Sequence, residues 1–331
     1  MGIVAAAQIA SIYFDAQATA RRVAESIAEA AKSGAWLVVF TESCIPGYPD
    51  FVWRVPPRSS SPSAEPFATF EKRFVEQAIT VPGPETQIIA AACRAHHIMA
   101  VVGVTERPTG SGTLYNTLLY FGSDGAILGR HRKLVPTFAE RMIWGAGDGT
   151  TLRTITTPHG ILGGLICWEN MMPLARTTLY AQGEQIHVAP MQDYGDRWHA
   201  SVRHFAAEGR MWVISVGVLM RETDLTPDLR ALGVYQPDEL IGPGDSVIVD
   251  PLGNIVAGPV QGSEIILYAD APAEATLTAR SGFDAVGHYG RGDLFSLTLR
   301  GVPIPLEINA PVSMSSMSDH IWKPCPDEET I

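Results

Sequence analysis

Trp36-Leu37-Val38-Val39-Phe40-Thr41-Glu42-Ser43 passes from an unbroken apolar run to polar residues with no turn signal between them. A short continuous apolar run reads as a strand covered on both faces. Its abrupt polar end then lies at the carboxyl edge of a sheet, where open α/β sheets bind ligands. Upstream, residues 2–10 read as a first short β run. Asp15 is placed to cap a helix reaching about Lys32, with Ala16, Ala20, Val23, Ile27 and Ala30 at helical spacing and Gly34 as its stop. Downstream, the Pro- and Ser-rich loop 45–64 carries Tyr48, Phe51 and Trp53. Helices are predicted over 66–79 and 84–97, the second with Pro84 at its first position.

The same alternation continues. Strands are predicted at 98–105, 113–121 and 126–134, the last two joined by a Ser123-Asp124-Gly125 turn. A buried strand at 160–166 stops at Cys167, and a helix at 173–182 stops at Gly183. Segments 186–189, 198–209 and 211–218 repeat a strand–helix–strand rhythm. Strands at 246–250, 254–260 and 264–270 are expected to form a late antiparallel meander, with Pro251-Leu252-Gly253 as one turn. Strands alternating with helices, then a meander, read as a layered α/β fold with a mixed sheet.

Composition narrows the function. The chain has 331 residues, 46% hydrophobic and 18% charged, which excludes intrinsic disorder. A net charge of −11 opposes binding to nucleic acid or an anionic membrane, because both need a basic surface. No apolar stretch approaches the ~20 residues that cross a bilayer. The apolar N-terminus has no basic residue before it, unlike a signal peptide. Cys44, Cys93, Cys167 and Cys325 are far apart and form no Cys-x-x-Cys pair, which leads us to expect a reducing, cytoplasmic setting.

Three segments put a reactive side chain at a strand end. Glu42 is either a solvated loop carboxylate or a base. Lys133 lies in Gly129-Arg130-His131-Arg132-Lys133-Leu134-Val135-Pro136, either a lysine-blunted sheet edge or a fixed positive charge. Strand alternation puts His131 and Lys133 on one face and Arg132 on the other. Cys167, in Gly163-Gly164-Leu165-Ile166-Cys167-Trp168-Glu169-Asn170, is either a small core residue or a nucleophile. A strand-to-helix elbow there would expose the thiol and aim helix amides at it, lowering its pKa. Together the three form a nucleophile with a base and a cation.

Phe40-Thr41-Glu42, His131-Arg132-Lys133-Leu134-Val135-Pro136-Thr137 and Leu165-Ile166-Cys167-Trp168-Glu169-Asn170 closely resemble the three motif blocks of the nitrilase superfamily of carbon–nitrogen hydrolases. The resemblance extends to Tyr115-Asn116-Thr117, to Glu140-Arg141 with 145–149, and to Gly287-His288-Tyr289-Gly290-Arg291. The Cys-Trp-Glu-Asn form is the one usual in the nitrile-cleaving branch. The resemblance implies a four-layer-type α-β-β-α sandwich with mixed sheets and no cofactor or metal. It implies a hydrolase domain over 1–270, followed by a C-terminal extension, 271–331, that makes oligomer contacts. A homodimer building a larger homo-oligomer, spiral or filament is expected. Cys167 would attack the nitrile carbon to give a thioimidate, then a thioester. Glu42 would be the general base, Lys133 would stabilise developing charge, and Glu140 would position the lysine. The Trp168 amide would join as an oxyanion donor. The family usually has proline where this chain has Thr41, which bears on how Glu42 is held.

Trp168, Tyr48, Trp53, Met191, Gln192 and Tyr194 are candidate substrate-binding residues, each with loop packing as the plainer alternative. Together they point to an apolar arylaliphatic or aliphatic nitrile, with an aliphatic amidase or carbamoylase of the same superfamily as the alternative. His199 and His204 are five apart, not the four that place two ligands on one helical face, and no His-Glu-x-x-His occurs. There is no Gly-x-Ser-x-Gly elbow for a serine hydrolase and no Gly-x-Gly-x-x-Gly after a strand for a dinucleotide. A Cys/His protease would leave Lys133 and both glutamates without a role, as would a non-catalytic assembly protein.

Overall fold

The computed structural model describes residues 2–57, 65–299 and the backbone of 302–304. Strands β1 (Ile3–Gln8), β2 (Ala35–Phe40), β3 (Met99–Glu106), β4 (Tyr115–Phe121) and β5 (Ile127–Arg132) lie side by side in one sheet. A second sheet contains β6 (Ile155–Thr157), β7 (Gly160–Gly164), β8 (Ile186–Val188), β9 (Trp212–Ser215), β10 (Leu219–Arg221), β11 (Leu240–Val249) and β12 (Ile255–Gln261). Each sheet is mixed: β1–β2–β3 and β7–β8–β9 run parallel, whereas β3–β4–β5 and β9–β11 run antiparallel.

Period-two alternation sorts the apolar strand residues into two layers. Val4, Ala6, Leu37, Val39 and Val101 face the space between the sheets. Ala5, Ala7, Val38, Phe40 and Val102 pack on the opposite face against α1 (Ala16–Lys32) and, after the helix α2 (Glu65–Gln77), α3 (Pro84–His96). Asp15 caps α1 by accepting from the Ala18 amide at 2.8 Å, and Pro84 opens α3. On the far side lie α4 (Pro173–Tyr180) and α5 (Asp196–Gly209), tied together where Arg176 and Tyr180 both reach Glu208. Trp198, Val202 and Phe205 of α5 enter the buried core. The layers therefore run α-β-β-α, as the sequence resemblance implied. Two short helices, α6 (Pro227–Arg230) and α7 (Glu274–Arg280), and a hairpin of β14 (Leu297–Leu299) and β15 (Val302–Ile304) complete the described chain.

The expected late meander is split. β11 and β12 pair, but β13 (Ile265–Asp270) crosses to the first sheet and runs antiparallel to β1 from Ile3↔Asp270 to Gln8↔Ile265. β1 is bonded to β2 on one side only, so its other edge carries buried N–H and C=O groups that need partners. β13 satisfies them. Gln8 secures the crossing: its Nε2 donates to the Val260 and Ser263 carbonyls, and its Oε1 accepts from the Ser246 amide and hydroxyl of β11. No local sequence pattern signals this exchange.

The strand expected at 160–166 ends at Gly164, and Cys167 opens a single 3-10 turn, Cys167–Met171, rather than a longer helix. Gly164 is required by close packing, since a Cβ there would lie 2.3 Å from Val188 Cγ2. Of the expected C-terminal extension, 271–331, residues 300–301 and 305–331 lie outside the described residues.

Candidate active site

β2, β5 and β7 deliver Glu42, Lys133 and Cys167 to one place. Glu42 follows β2 by two residues and is fully buried. Its backbone runs against β3 so closely that a Cβ at Gly103 would sit 2.2 Å from the Thr41 carbonyl oxygen. Thr41 is itself anchored: its hydroxyl donates to the Val216 carbonyl at 3.2 Å, across to the second sheet. A proline could not make that bond, so Thr41 holds the Glu42 segment by a contact of its own.

Lys133 follows β5 and is also fully buried. Its ammonium donates to Glu42 Oε1 and to Glu140 Oε2, each at 2.7 Å. Glu140 comes from the next 3-10 turn, Phe138–Met142. Its Oε2 also accepts from the Thr137 amide at 2.7 Å, and its Oε1 accepts from the Tyr48 hydroxyl at 2.8 Å. The Trp53 indole donates in turn to the Tyr48 oxygen at 3.2 Å. Burial opposes a charge on Lys133, yet Glu42 and then Glu140 hold its pKa above the ordinary lysine value.

Burial raises Glu42 to a pKa of about 7, with Lys133 pulling it down and Glu140 pushing it up. Oε1 takes both Lys133 and the Asn116 amide at 2.7 Å, while Oε2 is buried with no protein donor among the described residues. A carboxylate with one saturated oxygen and one bare oxygen, titrating near neutrality, suits proton transfer.

Cys167 opens its turn with a left-handed φ of 51°. Its amide donates to the Pro190 carbonyl at 2.8 Å, and its carbonyl accepts from Asn170 Nδ2 at 2.9 Å. These two bonds hold a backbone conformation that a non-glycine residue rarely adopts. The expected lowering of the thiol pKa does not occur. Burial, and next the charge of Glu42, push the Cys167 thiol well above its ordinary value, and Lys133 offsets this only in part. The reason is charge balance. Two carboxylates already surround one ammonium, so a resting thiolate would bury a further net negative charge. The amide of Gln192, which bonds the sulfur, pulls the other way but is outweighed.

Glu169, two residues past the cysteine, locks the cysteine turn to the lysine strand. It accepts from the Ile166 amide at 2.8 Å on one side, and from the Leu134 amide and His131 Nε2 on the other. Asn170 continues the framework through His187 to Glu184, at 2.6 and 2.8 Å. The sequence motifs alone assign Glu169, Asn170 and Asn116 no role. A signal for them is nevertheless present: Glu and Asn directly after a buried strand, and an Asn inside the apolar run Tyr115–Phe121.

The pocket candidates separate. Tyr48 is buried on Glu140, and Trp53 is half exposed above it. Trp168 is half buried: its indole donates to Asp193 at 2.8 Å, and it meets Phe138 edge to face at 6.0 Å. Met191 is fully buried in the core between the sheets, where its amide donates to Val216 at 3.0 Å. Gln192 approaches the sulfur through its backbone, and Tyr194 is exposed.

A model of the carbon–nitrogen hydrolase family matches residues 3–280. The chain is 42% identical over 302 residues to an aliphatic nitrilase of Sinorhizobium fredii (strain HH103), covering 90% of this chain and 96% of that protein. It is 39% identical over 322 residues to the bifunctional nitrilase/nitrile hydratase NIT4A of Lupinus angustifolius, covering 95% and 89%. The solved structure of Saccharomyces cerevisiae Nit3 shares its fold, with a TM-score of 0.67 at 22% identity over 87% of this chain and 96% of that one. A family match over most of the length, with identity near 40%, shows that this chain belongs to the carbon–nitrogen hydrolase family, the nitrilase superfamily.

Proposed function

We infer that this carbon–nitrogen hydrolase is a nitrilase, converting an organic nitrile and water to a carboxylic acid and ammonia. The observation that carries the chemistry is the burial of Cys167, Glu42 and Lys133 in one site, where Lys133 bonds Glu42 and the charges of both act on the thiol. The thiol is neutral at rest, and the bare Oε2 belongs to a carboxylate titrating at about 7. Relatives named as nitrilases, near 40% identity, favour nitriles. The amidases among solved structures, at 16–17% identity, share only the fold.

In the proposed cycle, Cys167 Sγ attacks the nitrile carbon as Glu42 takes the thiol proton and passes it to the nitrile nitrogen. This gives a thioimidate. Glu42 then draws a proton from water as that water adds to the carbon. That proton returns to nitrogen, the proton of the added hydroxyl follows it as the C–N bond breaks, and ammonia leaves behind a thioester. A second water, activated in the same way, frees the acid and restores the thiol. Lys133 and the Trp168 amide stabilise charge developing on the tetrahedral intermediates. That amide is at the first turn of the Cys167–Met171 segment, where no intrahelical acceptor is available to it. Glu140, fixed by Tyr48, keeps the Lys133 ammonium in place.

We further propose that Tyr48, Trp53, Trp168, Gln192 and Tyr194 shape a pocket for apolar arylaliphatic or aliphatic nitriles, backed by Met191. The extension 271–331 is proposed to build homodimers into a larger homo-oligomer or filament. Buried free thiols at Cys44, Cys93 and Cys167 support a reducing, cytoplasmic setting. The deciding experiment measures ammonia and acid release from phenylacetonitrile and phenylacetamide, with Cys167→Ala as the blank. Nitrile turnover without comparable amide turnover is the expected result. Turnover of the amide alone would move the chain to the amidases.

A further inference from the structure

We infer that Asn116 is a positioning residue for Glu42. Its amide donates to Oε1 alongside Lys133, holding the carboxylate so that Oε2 is left as the proton acceptor. The inference rests on the reading of Glu42 as the general base.

Asn116 sits in β4, directly beside β5, and is buried. It holds both members of the ion pair. Its Nδ2 donates to Glu42 Oε1 at 2.7 Å, and its backbone carbonyl accepts the Lys133 amide at 2.8 Å. Glu42 and Lys133 are 91 residues apart in the chain, and Asn116 bonds to both.

The asymmetry on the carboxylate is the functional point. A glutamate side chain has three torsions, and the last is broad, so its two oxygens exchange freely unless something pins one. Lys133 alone gives one donor, and the carboxylate can pivot about that contact. A second donor on the same oxygen, from a rigid strand, removes the pivot. Oε2 is then fixed in direction and free of donors.

The rest of the residue's environment argues against a purely structural role. Leu118, Leu119, Tyr120 and Phe121 complete an apolar strand. Asn116 Oδ1 is buried with no donor among the described residues. An amide kept half satisfied in an apolar strand lowers stability. The hydrogen bond that offsets this cost is the one from Nδ2 to the Glu42 carboxylate.

Asn116→Ala and the smaller polar change Asn116→Ser test the inference on the full chain, with phenylacetonitrile as substrate. Loss of the second donor is expected to lower kcat about 100-fold while KM stays within about twofold. The acid limb of the pH profile is expected to move to higher pH, because the lost contact favours ionised Glu42. The other groups acting on Glu42 are unchanged in these variants: Lys133 from the β5 end, Glu140 from its 3-10 turn, the Cys167 turn, and Tyr48 from the loop after β2. Turnover within twofold of the parent, or a fall in kcat with an unmoved acid limb, would overturn the inference. Failure of both variants to fold would do the same by making Asn116 structural. Glu42→Gln is the control for the underlying reading: if it stays active, the assignment of the base fails and the inference falls with it, whereas an inactive Glu42→Gln beside an unaffected Asn116 variant overturns the positioning alone.

Discussion

The Tyr48 hydroxyl donates to Glu140 Oε1 at 2.8 Å, while the other oxygen of Glu140 holds the Lys133 ammonium at 2.7 Å. A loop residue 92 positions upstream of Glu140 thus fixes the carboxylate that fixes the lysine. Tyr48→Phe keeps the ring and removes the hydroxyl, which both donates to Glu140 and accepts from the Trp53 indole. It leaves a buried acceptor unsatisfied, a cost of about 1–3 kcal/mol in stability. We expect a lower midpoint of urea unfolding and a loss of roughly tenfold in kcat. An unchanged kcat would detach Tyr48 from the catalytic framework.

Lys133→Ala removes the ammonium that bridges two buried carboxylates. Breaking a buried pair from one side costs about 3–5 kcal/mol, and loss of one oxyanion-type donor costs about 2.7–4 kcal/mol of barrier. We expect an enzyme with almost no turnover and a clearly depressed melting temperature. Near-normal turnover would remove Lys133 from the mechanism.

The pH dependence follows from Glu42. A base works only when deprotonated, so kcat/KM should fall as pH drops through about 7, the value to which burial raises this carboxyl. An acid limb near the ordinary glutamate range would show that the active site is wetter than its burial indicates.

The raised thiol pKa gives an independent expectation. Cys167 holds little thiolate at neutral pH, so iodoacetamide should modify it more slowly than free cysteine. Mass spectrometry of the labelled peptide over time measures this. Labelling faster than free cysteine would mean that the thiolate is preformed.

Glu169→Ala strands the Ile166 and Leu134 amides and His131 at once. Because these groups join the cysteine turn to the lysine strand, stability and activity should fall together, with several kcal/mol lost overall. Differential scanning calorimetry beside kcat distinguishes this from a surface role: a melting temperature within a degree or so of the parent would exclude it.

The layered α/β architecture was legible because burial leaves a periodic record. Trp36–Phe40 has no polar residue since both faces of β2 are covered, and α1 shows its apolar stripe at helical spacing. Glu42 and Cys167 were legible as candidates because each ends an apolar strand, and Lys133 because it closes a basic run at a strand end. The exchange of β13 into the first sheet was not. Strand partners are chosen by which edges remain unpaired after collapse, and no local pattern encodes that.

What the sequence determined by itself was therefore the set of elements and the types of reactive side chain at their ends. Only the tertiary structure decided how those side chains affect one another. Burial moves Glu42 to about 7 and, with the charge of Glu42, holds the thiol neutral, while the nearby Glu42 and Glu140 keep the lysine charged, reversing the expectation from an isolated turn. Charge interactions depend on distance and burial together, and both exist only once the two sheets have closed on each other.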